Sequence, residues 1–204
     1  SQFTQRVQFV GPDFGIQRLT RMPAAGDTHQ PEPDSAHFEG AASIAGHPDH
    51  FSDPERCVDA VIERVGRRIV LGLPLGLGKP LRFANALFER ARQDARIDLT
   101  ILTALTLETP RARGDLERRF LSPLVERLYA GYPDVAYAQA LRAGTLPPNV
   151  RISEFYLQPG AWLGTPYAQR HYVASNYTHA VRDLLDRGVN VLAQLVAIDD
   201  AGRY

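Results

Sequence analysis

The chain has one cysteine, Cys57, in 204 residues. No internal disulfide can form, and a reducing cytosol fits better than secretion. Nor is there a surplus of either charge: 23 Lys and Arg stand against 23 Asp and Glu. A net charge of zero argues against nucleic acid or an anionic membrane as partner. No apolar run approaches the roughly 20 residues that a membrane span needs, and no signal peptide is visible at the amino terminus. The start at Ser1 in place of Met reads as a trimmed chain. What is present is a globular composition, 44% hydrophobic and 23% charged, long enough to bury a real core as one large domain or two small ones.

The organising stretch runs from Arg67 to Ala91. Arg68 to Leu73 is a short, nearly unbroken apolar run, the pattern of a strand covered on both faces in a parallel sheet. A glycine loop follows from Pro74 to Lys79, and Pro80 suits the first turn of a helix. Leu81, Ala84, Phe88 and Ala91 make that helix's apolar stripe. A strand, loop and helix of this kind point N–H groups at one spot, where a phosphate, carboxylate or oxyanion is the natural guest. The loop fails the nucleotide-hydrolase pattern, which needs a glycine at Leu73 and a hydroxyl at Pro80, and it fails the dinucleotide pattern, because Leu81 stands at the third glycine.

Around this stretch the chain divides in two. Residues 1–51 lack periodicity and are rich in Gly, Pro, Asp and His, which reads as an extended or partly disordered arm. His47-Pro48-Asp49-His50 within it matches no standard metal spacing. Residues 52–204 read as one α/β domain. Ser52 and Glu55 form a capping box for a helix carrying Val58, Val61, Ile62 and Val65, which places Cys57 as a half-buried apolar residue. Ile97 to Leu105 is a second strand. Leu116 to Tyr129 is expected as a helix in two pieces, with Ser122 and Pro123 starting the second, and Pro133 to Ala143 as another helix. Val150 to Leu157 is a third strand whose alternation slips between Ile152 and Phe155, as at a bulge. Tyr177, Ala180, Val181, Leu184 and Leu185 form a helical stripe capped by Ser175 or Asn176 and ended by Gly188. Val189 to Ile198 is the last strand. Strands alternating with helices imply right-handed crossovers and an open, mostly parallel sheet.

In such sheets ligands sit beyond the carboxyl ends of the strands. Those loops hold Gly76, Gly78 and Lys79; then Glu108 and Arg111; then Gln158 and Gly160. Lys79 suits an anion and equally a solvated helix start. Glu108 is a conceivable nucleophile or base, though a loop carboxylate is more often a surface charge or cap. Glu154, inside a strand, is expected half exposed. His171 and His179 show no partner in the sequence, and no serine triad or metal pair can be assembled.

The turn Leu73-Pro74-Leu75-Gly76-Leu77-Gly78-Lys79-Pro80 resembles the start of the acetyl-CoA hydrolase/transferase family, relatives of the 4-hydroxybutyrate and acetate CoA-transferases. Leu146-Pro147-Pro148-Asn149-Val150, Ser175-Asn176-Tyr177-Thr178-His179-Ala180 and the run Arg187 to Ala197 continue the resemblance in order. It covers roughly Ser52 to the end. The resemblance implies two similar open α/β domains with a coenzyme A thioester and a small carboxylate or water meeting in the cleft between them, and no tightly bound cofactor. It implies a glutamate that attacks the acyl-CoA and passes through a glutamyl-CoA thioester, with N–H donors for the oxyanion. That glutamate belongs to the second domain, for which this chain shows no match. The chain therefore reads as an amino-terminal piece of a homo-oligomer, with Gly76, Gly78, Lys79 and Asn176 facing the shared cleft. Two other readings stand beside it: a free-standing anion- or CoA-binding module, and a sugar-phosphate isomerase-like enzyme using Glu108 or His171 as base.

Overall fold

A computed structural model describes residues 2–9, 51 and 53–198. The metal reading at His47 to His50 falls outside them. The strands are β1 (Gln2–Phe9), β2 (Arg68–Leu75), β3 (Asp98–Ala104), β4 (Val150–Glu154) and β5 (Val191–Ile198), and they form one sheet in the order β1-β5-β2-β3-β4. From β5 to β4 all neighbours are parallel, while β1 runs antiparallel to β5, Gln2 opposite Ile198 and Phe9 opposite Val191. The α/β class and mostly parallel sheet are as the alternation of strands and helices implies. The first residues of the expected arm are instead this edge strand, whose partner residues lie 182 to 196 positions away in sequence.

Among the described residues six α-helices lie between the strands: α1 (Pro54–Val65), α2 (Leu81–Gln93), α3 (Asp115–Leu128), α4 (Ala136–Ala143), α5 (Pro166–Arg170) and α6 (Ala180–Asp186). One face of the sheet carries the main core. There Ile69, Leu71, Leu99, Ile101 and Ile152 pack with Val58 and Val61 of α1, the α2 stripe, Tyr137 of α4 and Trp162. The opposite face holds a smaller cluster, Val70, Leu102 and Val189, against Leu184 of α6. Burial on both sides explains the continuous apolar run of β2.

Local details revise four expectations. The cap of α1 is Asp53, whose carboxylate accepts from the Glu55 N–H at 3.0 Å with Pro54 in the first turn, in place of the expected Ser52–Glu55 box, whose Ser52 lies outside the described residues. The register shift lies in β2, between Gly72 and Leu75, where Pro74 has no N–H to give a ladder. β4 pairs regularly with β3 up to Thr103 opposite Glu154; its slip in alternation arises because buried Glu154 continues the inward face of Val150 and Ile152. Helix α3 is continuous through Pro123. Its backbone is solvent-facing, so water can serve the carbonyl that loses a donor, and the Ser122 hydroxyl donates to the Arg118 carbonyl at 2.8 Å.

Two asparagines lock the amino ends of the strands. Asn190 accepts from the Val70 N–H at 2.8 Å and donates to the Arg68 carbonyl at 2.9 Å, tying β5 to β2. Asn149 donates to the carbonyls of Ala91 and Ile97, both at 2.8 Å. Gly72 permits the closest approach in the sheet: a Cβ there would lie 2.5 Å from Leu192 Cδ2.

Candidate functional site at the carboxyl edge of the sheet

Three loops leave the sheet at the carboxyl ends of β2, β3 and β4, and they are bonded to one another. Pro74 and the 3-10 turn Gly76–Gly78 carry the chain from β2 toward α2. Gly76, at φ 64°, donates its N–H to the Leu105 carbonyl at 3.1 Å. Leu105 has the left-handed φ of 43°, uncommon outside glycine, and its N–H donates to the Tyr156 carbonyl at 2.6 Å. Each loop thus holds the next.

Lys79 closes this arrangement from the inside. Its side chain is buried, and Nζ donates to the carbonyls of Ala104 at 2.6 Å and Leu105 at 3.2 Å, with Gly76 at 3.5 Å. Three donors on an ammonium suit three carbonyls, two just at the end of β3 and one in the turn after β2. Burial lowers its pKa to about 8, partly opposed by the charge of Glu154. Lys79 is therefore neither the solvated helix-start residue nor a cation presented to the cleft.

Glu154 approaches the same loop from the other side. It too is buried, against the expectation of half exposure, and its Oε1 accepts the Thr106 N–H at 2.5 Å. Burial raises its pKa, opposed by Thr106 and by the positive charges of Lys79 and Arg142. The Thr106 hydroxyl meets the Tyr137 hydroxyl at 3.1 Å deep in the core, where burial also raises the phenol's pKa. Residues 104–106 are thus gripped by an ammonium and a carboxylate at once. The signal for Glu154 was readable: strand alternation places it on the same face as Val150 and Ile152.

The remaining sequence candidates sit apart. Glu108 pairs with Arg142 at 2.5 Å, and Arg142 also donates to the Ala161 carbonyl and lies 4.3 Å over the Trp162 ring. Asn176 is exposed; its Oδ1 accepts the His179 N–H at 3.1 Å, just ahead of α6, and the next residue, Tyr177, makes an edge contact with Phe155 beyond β4. His171 stacks on Tyr167 with ring centres 4.1 Å apart. It lines a hollow of about 350 Å³ with Leu146, Pro147 and Arg151, beside the amino end of β4 rather than at the glycine turn. Among the described residues no cluster of His, Cys, Asp or Glu could hold a metal, and no helix is long and apolar enough to cross a membrane.

At the glycine turn Gly76 is buried, Gly78 is half-buried and the Leu75 side chain is exposed. A Cβ on Gly78 would make an ordinary contact with Pro74 Cγ at 3.7 Å, and one on the buried Gly76 with Leu107 at 3.9 Å, so each position has room for a small group without a clash. Helix α2 starts there with no side chain capping its first turn. Fold and edge together define an α/β protein with a rigid loop cluster. Comparisons with protein-family models, curated proteins and solved structures find no match to this chain.

Proposed function

We propose that this chain forms the amino-terminal wall of an acyl-CoA hydrolase or CoA-transferase cleft, with the nucleophilic glutamate supplied by a second domain outside it. The observation that carries the reading is the half-buried Gly78, where an added Cβ meets no clash, in a turn that leads into a helix start without a side-chain cap, at the edge where parallel sheets receive ligands. The ordered resemblance from Leu73 to Ala197 supplies the substrate class. Gly78 lets a thioester approach the main chain, Gly76 holds the turn through its N–H on the Leu105 carbonyl, and Asn176 is exposed ahead of α6. Lys79 and Glu154 act in this reading by fixing the loops rather than by touching substrate.

Calorimetric titration with acetyl-CoA tests it. Gly78→Val is the informative variant, because Gly78 has no positive φ and its Cβ has room, whereas Gly76→Val would also strain the backbone. Saturable binding that weakens at least tenfold in Gly78→Val, with unchanged circular dichroism, supports the wall. Binding indifferent to Gly78→Val, or no binding by a folded chain, overturns the glycine turn as the CoA site.

A further inference from the structure

Helix α3 contains no buried residue, yet it is amphipathic. Leu116, Phe120, Leu124 and Leu128 recur at i, i+4, i+8 and i+12, and they are 83%, 77%, 41% and 49% exposed. Apolar side chains repeated in this way cover one face of a helix, and that face has no partner in the described residues.

The sequence of α3 reads symmetrically about Ser122. Leu116 stands six residues before it and Leu128 six after; Glu117 and Arg127 stand five away; Phe120 and Leu124 stand two away. When two such helices pack antiparallel around a two-fold axis at the level of Ser122, equal distances coincide. Leu116 then meets the level of Leu128 on the other helix, Phe120 that of Leu124, and Glu117 that of Arg127, each twice. Helical geometry puts Glu117 between Leu124 and Leu128, and Arg127 between Leu116 and Phe120, at equal angles either side of the middle of the stripe, so the two come within reach across the helix pair. Both ion pairs are of opposite sign, and Arg127 makes no ion pair among the described residues. Glu117 keeps one carboxylate oxygen for the Arg113 N–H at 2.7 Å and has the other available.

We propose that this face is a homodimer interface, in which α3 of one copy lies antiparallel on α3 of a second copy. Self-complementarity in both shape and charge is the property that an isologous interface requires, and a heterologous partner gives no reason for it. Fourteen residues make a helix about 21 Å long. One helix pair falls short of the roughly 1,200–2,000 Å² of a standard interface, so the dimer dissociates on the order of micromolar.

Sedimentation velocity over a concentration series on the full chain tests this. The wild type shifts from monomer to dimer, and Phe120→Asp, which alters an exposed side chain and spares the core, weakens the dimer at least tenfold. Glu117→Arg and Arg127→Glu each place like charges opposite one another and weaken self-association. Mixed together, these two variants form a heterodimer in which both pairs are again of opposite sign. A chain that stays monomeric at millimolar concentration, a dimer indifferent to Phe120→Asp, or charge variants that do not associate on mixing would each overturn the proposal.

Discussion

Replacing Lys79 by Met tests whether the ammonium is held in the dry interior of the loop cluster. The substitution keeps a long apolar stem and removes the donors to Ala104, Leu105 and Gly76. Each buried carbonyl left without a partner costs about 1–3 kcal/mol, and bonds from charged donors are worth about 1.5–3 kcal/mol. Against this, wild type bears the penalty of an ammonium whose pKa falls from 10.5 to about 8, about 3 kcal/mol at roughly 1.4 kcal/mol per pH unit. The net loss at pH 7 is therefore modest, about 1–3 kcal/mol. The diagnostic lies in the pH dependence. Between pH 8 and 10.5 the folded protein holds fewer protons on Lys79 than the unfolded chain does, so wild-type stability rises with pH across that window. A neutral amine still donates two hydrogen bonds. Urea unfolding of both proteins at pH 7 and pH 10 should show the gap between them widening by about 2–3 kcal/mol at the higher pH. A gap that stays constant or narrows would refute the burial of this charge.

Two further predictions concern the same edge. Glu154→Gln keeps an acceptor for the Thr106 N–H and removes a charge that burial disfavours; because the folded-state pKa is raised, wild type loses stability relative to this variant as pH climbs above about 4.5, and paired melts at pH 4 and pH 7 should show the variant gaining. Arg142→Met removes the guanidinium from the face of Trp162 and from Glu108; it should cost about 1 kcal/mol and change the emission of Trp162, the single tryptophan, whereas an unaltered spectrum would contradict the contact.

The parts of the fold legible in the sequence are those fixed by neighbours. β2, the glycine turn and α2 could be placed because an apolar run, two glycines and a helical stripe follow one another within 26 residues. Non-local parts were not legible. β1 shows only a short alternation, Phe3, Val7 and Phe9 against Thr4, Arg6 and Gln8, and its place in the sheet is set by its antiparallel partner β5. Pro123 suggested a break, but solvent around α3 relieves the cost that a proline imposes in a buried helix. The candidate site divides along the same line. Gly76 and Gly78 were visible as loop glycines, whereas Lys79 looked solvated because no spacing connects it to Ala104 or Leu105, whose carbonyls become its partners once β2 and β3 pair.

This arrangement constrains how the edge can work. Lys79 spends its donors on backbone, Glu154 spends an oxygen on Thr106, and the N–H groups of Gly76 and Leu105 are spent on the adjoining loops. Moving one of these loops would expose an unpaired buried ammonium or carboxylate, which is costly in a dry site. The carboxyl edge is thus a fixed wall rather than a closing lid. On the proposed function, a conformational change that traps a ligand would come from an element facing these loops, and the space beside Gly78 would set the fit. In the proposed cleft, the charged groups set the shape of that space while the chemistry comes from the opposite side. Loss of Lys79 or Glu154 should therefore weaken ligand binding in proportion to the loss of loop order, with no separate effect on the reacting atoms.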